Sequence, residues 1–173
     1  TYSNQDLPKV GVYRYMHDPS FEILIFSYAI DGGEVHCIDL LDPMSDNYMT
    51  ELPTDIIGML KDPEVTKVAF NAQFERVALS VYCGETLDPA QWHDTMITAH
   101  ELGLGGGLGQ IAKYLKIDQQ KDTRGTNLIN YFSKPCKPTK ANDKRTRNLP
   151  EHAPDKWETY VSYNMQDVRT EMA

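Results

Sequence analysis

Two residues near the C-terminus, Tyr163 and Asp167, are four apart, and on a helix they are stacked neighbours on one face. A carboxylate there can hold a hard cation through oxygen, and a phenol one turn earlier can orient a water toward a phosphodiester. Taken alone, Tyr-x-x-x-Asp also describes an ordinary exposed helix surface. A second carboxylate of interest is Glu75, in the run Asn71-Ala72-Gln73-Phe74-Glu75. Its place in a first helical turn has a structural explanation too, since the helix dipole favours an acid there. Together the two acids supply what a two-metal phosphoryl-transfer site draws from distant parts of a chain. Such a site holds two cations about 3.5 to 4 Å apart, one to activate water and one to stabilise the leaving oxygen.

Other chemistries find less support. His93 and His100 are seven apart, but no Cys or His stands at zinc spacing from them. No Gly-x-Ser-x-Gly elbow is present, which argues against a triad hydrolase. Five glycines fall within residues 103–109, yet neither G-x-G-x-x-G nor G-x-x-x-x-G-K-[ST] fits them, so the run reads as a mobile connection. Asp94 is expected to support the site's backbone rather than add to the acids. Cys37, Cys83 and Cys136 are odd in number and widely spaced, which fits a reducing cytoplasm and no disulfide framework.

The elements that would position these residues are legible as periodicities. Strand patterns cover 9–15, 21–30 and 34–41, with Asp31-Gly32-Gly33 as a turn, and suggest an antiparallel meander. Leu52, Ile56, Met59 and Leu60 form one face of a helix within 50–61. A short strand over 65–70 leads to Asn71, expected to cap a helix carrying Phe74, Val77, Ala78 and Val81. Residues 94–102 repeat the strand-to-helix passage. Leu108, Ile111, Ala112 and Leu115 mark another helix, and 127–132 a shorter one. In the closing helix, from about Pro154 onward, Trp157, Val161, Met165, Val168 and Met172 fall within roughly an 80° arc at about 100° per residue. That apolar stripe leaves Tyr163 and Asp167 off the buried face. The 173 residues and 40% apolar content suit one α/β domain. No stretch approaches a membrane span, and the start does not resemble a signal peptide.

Charge is segregated. Between 134 and 147, six basic residues face a single acid, Asp143, so the segment is +5 and the remainder −13 within a formal total of −8. It lies in a Pro-rich arm over about 133–154. A basic strip on an acidic body suits an enzyme that grips phosphates with one element and holds divalent cations with another; a solvated loop is the plainer alternative.

The order Asn-x-x-Phe-acid from Asn71, Asp94-Thr95-Met96, Leu-Gly-x-x-Ala-x-x-Leu from Leu108, and Tyr163-x-x-x-Asp167 resembles the DEDD 3′-5′ exonucleases that carry a tyrosine in their third motif. Within them it is most similar to the proofreading domain of family A DNA polymerases from phages and prophages, and the likeness covers nearly the whole chain. The resemblance implies a ribonuclease-H-like, three-layer α/β/α fold with a mixed five-stranded sheet, its first strand truncated or missing. The family's Asp-x-Glu motif is expected just upstream of Thr1, which would leave residues 1–173, a single exonuclease domain cut from a larger polymerase, weakly active or inactive.

Carried over residue by residue, Glu75 matches the second-motif acid, Asp167 the third-motif acid and Tyr163 the water-orienting tyrosine. Thr1, Asn71 and Phe74 match positions that approach the terminal nucleotide. Glu75 departs from the usual Asp by one methylene, and reaches a metal by different geometry or through a water. The implied reaction is Mg²⁺- or Mn²⁺-dependent hydrolysis of the 3′-terminal phosphodiester of DNA, with Asp167 and Glu75 among the metal ligands. The strip from Lys134 to Arg147, with Lys144, Arg145 and Arg147 as its substrate-binding residues, is expected to meet the DNA backbone or the neighbouring polymerase domain, in the cytoplasm of a bacterial or phage-infected cell. The alternatives are a free-standing exoribonuclease of the same superfamily and a non-catalytic domain of the same fold that binds nucleic acid or protein.

Overall fold

A computed structural model describes residues 1–117 and 125–173. Its elements run α1 (Leu7–Met16), β1 (Ile25–Tyr28), β2 (His36–Asp39), α2 (Thr54–Lys61), β3 (Lys67–Ala69), α3 (Ala72–Cys83), β4 (Trp92–Asp94), α4 (Thr95–Glu101), α5 (Leu108–Tyr114), α6 (Gly125–Phe132) and α7 (Pro154–Met172). β1 and β2 form an antiparallel hairpin with Ile25 opposite Asp39 and Tyr28 opposite His36. Its reversal contains the expected turn. Gly33 N–H donates to Ile30 C=O at 2.9 Å, while Asp31 and Gly32 have φ of 49° and 72°, the doubly left-handed form that matches strand twist. β3 and β4 pair in parallel, with Ala69 opposite Asp94.

Helices cover both faces of the hairpin. Leu24 and Ile25 pack with Leu128 and Phe132 of α6 and with Trp157, Tyr160 and Tyr163 of α7. Ile23 and Ile38 pack with Ile56 and Leu60 of α2 and Leu79 of α3. Side chains of extended chain alternate between faces, and the neighbours Ile23 and Leu24 serve the two layers. The sheet content of the described residues is four strands in two pairs, not the five-stranded sheet expected. Tyr2 adds an isolated antiparallel bridge to Glu22.

Residues 9–15 are not a strand. They lie in α1, which is broken at Gly11, where φ is 75°. The β-branched Val10 and Val12 carry the strand signal, but propensity is weak beside tertiary docking. The decisive contacts are those of Tyr15 and Met16 with Val77 and Ala78 of α3.

The closing helix forms where expected but buries another face. Trp157, Tyr160, Tyr163 and Thr170 are its buried residues, whereas Met172 is 44% exposed. Aromatic rings outweigh the aliphatic stripe because each hides more area and the Tyr hydroxyl can be satisfied inside. Phe132 stacks on Tyr160 at 5.6 Å and meets Trp157 edge-on at 4.9 Å. The Tyr160 hydroxyl is 2.8 Å from Ser133 Oγ, and Trp157 Nε1 donates to the fully buried Asp39 at 2.7 Å. Tyr163 and Asp167 therefore lie toward the protein body, not off the packed face. Among the described residues no helix is long and apolar enough to cross a membrane.

Candidate active site

The parallel pair β3 and β4 ends in two strand-to-helix turns that one carboxylate joins. Asp94, the last residue of β4, accepts the Asn71 and Ala72 amides at 2.9 and 3.0 Å and the Met96 amide at 3.0 Å. It thus caps α4, its own helix, and also closes the start of α3. Asn71 occupies the N-cap position of α3 as expected, but with a left-handed backbone (φ 63°, ψ 48°) and no side-chain cap bond. Asp94 supplies that cap from the neighbouring strand. The backbone-supporting part expected of Asp94 is its observed one, and it fixes where the first turn of α3 presents Glu75.

Glu75 is half-buried, and its Oε2 receives no hydrogen bond among the described residues. Burial pushes its carboxyl from an ordinary value of 4.5 up to about 7; Glu171 and Asp94 push the same way, and its own amide and the Thr1 amino group oppose them. Glu171, near the end of α7, is also raised to about 7, first by burial and further by Asp167 and Asp94. The Phe70 amide and Thr95 hydroxyl act against that rise. Glu171 is the shared neighbour of Glu75 and Asp167, and Asp94 borders both glutamates. Asp167 Oδ1 is itself buried.

Glu171 of α7 is therefore within electrostatic reach of the three other carboxylates, on α3, β4 and α7. Proximity of like charges raises carboxyl pKa values, as does removal from water, and a divalent cation reverses both effects. The donors are all carboxylate oxygens, which fit Mg²⁺ or Mn²⁺ in kind, and the buried Glu75 Oε2 is an acceptor in want of a positive partner. Among the described residues, however, no three His, Cys, Asp or Glu side chains are already drawn up as a metal-holding group.

The other expected site residues have diverse surroundings. The Tyr163 ring is 5% exposed and stacks on Tyr160 at 6.2 Å. It also lies against Gly125, where an added Cβ would sit 2.1 Å from Tyr163 Cε2. Thr1 adjoins the cluster: its amino group is lowered to about 6 by burial, with Glu75 and Glu22 opposing and Arg147 assisting. Asn71 is exposed, and Phe74 is half-buried with its ring 6.4 Å from that of Tyr15. Lys144 is exposed. The two arginines are engaged within the chain. Arg145 Nε donates to Asn148 Oδ1 at 2.9 Å, and Arg147 pairs with Glu22 while its guanidinium lies 4.0 Å over the Tyr2 ring.

Glu171 escapes the sequence reading, although its signal is present. It falls four residues after Asp167 and eight after Tyr163, so all three occupy one helix face. A surface hollow lined by Gly33, Glu34, Val35, Arg169, Met172 and Ala173 lies at the hairpin turn, with none of the carboxylates on its wall except the exposed Glu34, which is no part of the cluster.

Over all 173 residues the chain is 48% identical to a DNA polymerase of Bacillus phage SP02, and it spans 26% of that protein's length. No protein-family model matches the chain, and no solved structure matches it.

Proposed function

We propose that this chain supplies the 3′-5′ exonuclease site of a phage-type DNA polymerase. The observation that carries the reading is that Glu171 lies within electrostatic reach of Glu75, Asp94 and Asp167 at the end of a parallel strand pair, with Tyr163 one helical turn before Asp167. The extended likeness to part of a phage DNA polymerase supplies the context.

In the reaction, a water oxygen bonds to the 3′-terminal phosphorus and the bond from phosphorus to the neighbouring 3′ oxygen breaks. The products are a deoxynucleoside monophosphate and a strand with a new 3′ hydroxyl. Divalent cations, when bound, supply water activation and charge neutralisation at the leaving oxygen. Glu75 and Asp167 are the residues that would hold them, with Glu171 close enough to share that work. Tyr163 orients the water, and Asp94 keeps α3 in place through its three backbone contacts. The raised carboxyl values of Glu75 and Glu171 make both groups partly protonated near neutral pH, so binding of a cation releases protons from the site.

The test is degradation of 5′-labelled single-stranded DNA by the 173-residue chain, and by a chain extended upstream, in the presence of Mn²⁺. Expected products are mononucleotides and a ladder shortened from the 3′ end. Glu75→Gln and Asp167→Asn are each expected to slow the reaction by about 100-fold or more, equal to about 2.7 kcal/mol of transition-state stabilisation. Shortening only of RNA would favour an exoribonuclease. The lack of a ready-made metal group among the described residues favours a non-catalytic binding domain as the second reading; no cleavage by either chain, with no Mn²⁺ bound, would establish it.

A further inference from the structure

We propose that Lys134, Lys137, Lys140 and Lys144 form a phosphate-tracking face for single-stranded nucleic acid, anchored on Glu22 and Tyr2 by Arg147. The choice of partner rests on the exonuclease reading; the assignment of the surface goes beyond it.

The basic loop is built rather than merely charged. Cys136 N–H donates to Thr146 C=O, and Lys144 N–H to Thr139 C=O, both at 2.8 Å. Asn142 braces the interior, with Oδ1 accepting the Thr139 amide at 2.8 Å and Nδ2 donating to Lys137 C=O at 2.9 Å. Asp143 and Lys144 take φ of 53° and 57°, which turns the chain back on itself. This closure gathers the four lysines onto one short loop.

Its cations divide by chemistry. All four lysines are exposed, and none pairs with a carboxylate among the described residues. The arginines anchor the loop. Arg145 holds Asn148, whose amide donates to Tyr131 C=O at 2.9 Å. Arg147 clamps Glu22 and covers the ring of Tyr2. That clamp fixes the position of the face, because Tyr2 and Glu22 are themselves paired by two backbone hydrogen bonds of 2.8 and 3.0 Å.

An acidic body repels phosphates, so a strand reaching this carboxylate cluster needs cations at its approach. Lysine suits the task, since a compact charge on a flexible stem follows a backbone without fixed geometry. Protein interfaces are depleted in Lys, whereas phosphate contacts supply most non-specific nucleic-acid affinity, and this favours a nucleic acid over a partner domain.

The probe is a fluorescein-labelled oligo(dT) of about 12 nucleotides, within the range that single-strand grooves contact. Binding to the 173-residue chain is titrated by anisotropy in EDTA at several KCl concentrations. The fourfold variant K134Q, K137Q, K140Q, K144Q is expected to lose affinity. Its slope of log K against log [KCl] should be shallower by about 3, from about 0.7 per phosphate neutralised. A fourfold Lys→Arg variant should retain affinity and slope, and all three proteins should melt alike. Equal affinity and slope in the Gln variant would overturn the inference, as would failure of the parent chain to bind, which would leave the face to a protein partner. Mn²⁺-dependent cleavage of the same probe separates the two ideas. Cleavage with lysine-independent binding overturns the surface alone, and lysine-dependent binding without cleavage by any Mn²⁺-loaded form overturns the nuclease reading alone.

Discussion

Asp94 Oδ1 accepts the Asn71 amide at 2.9 Å across 23 residues of sequence, and the same oxygen accepts the Met96 amide. One side chain therefore closes the first turns of two helices, one of which carries Glu75. Asp94→Ala is expected to remove both caps and lower stability by about 2 kcal/mol, measured by thermal or denaturant unfolding. Asn71→Gly should be tolerated at its left-handed backbone, whereas Asn71→Val should cost about 1 to 2 kcal/mol. Equal stability of the Gly and Val variants would contradict this account of the junction.

Gly125 and Tyr163 are in such close approach that a methyl group at 125 has no room beside the ring. Gly125→Ala is expected to cost about 1 to 3 kcal/mol by overpacking and to change the near-ultraviolet dichroism of the tyrosines. Tyr163→Phe keeps the ring, so stability should change by less than about 1 kcal/mol while hydrolysis of single-stranded DNA falls. Full activity in the Phe variant would remove Tyr163 from the reaction.

The two raised carboxyls set a direction for stability against pH. Glu75 and Glu171 hold protons up to about 7 in the folded chain, but release them near 4.5 when unfolded. Between those values the folded state binds more protons, so these groups make stability fall as pH rises. The Thr1 amino group, lowered to about 6, acts in the opposite sense between 6 and its ordinary 8.0. The clearest window is therefore between about pH 4.5 and 6, where Glu75→Gln and Glu171→Gln should each flatten the decline in melting temperature. A decline unchanged by both substitutions would place the titrating groups elsewhere.

The sequence made several elements readable because their signals are local. The Asp31-Gly32 turn, the short strand before Asn71 and the spacing of Leu108, Ile111 and Ala112 each specify their own segment. Segments decided by distant partners were harder to read. Val10 and Val12 mimic a strand, but α1 is fixed by the docking of Tyr15 and Met16 on α3. The aliphatic stripe of α7 points to one face, whereas Tyr160 and Tyr163 bury another against α6. For the candidate site, Glu75, Tyr163 and Asp167 were singled out by residue type and spacing together with the family resemblance. Glu171 shares their helix face at four residues beyond Asp167, but its burial beside Phe70 and Thr95 depends on partners distant in sequence. Arg145 and Arg147 read as free cations, yet their partners Asn148, Glu22 and Tyr2 turn them into anchors.

The most direct measurement is paramagnetic line broadening by Mn²⁺ in an amide-resolved NMR spectrum of the 173-residue chain. At substoichiometric Mn²⁺, the amide signals of Glu75, Asp94, Asp167 and Glu171 should broaden first and together, and Asp167→Asn should abolish the effect at all four. Broadening confined to exposed acids such as Asp31 and Glu34, or none at these four positions, would contradict a shared cation site between α3 and α7.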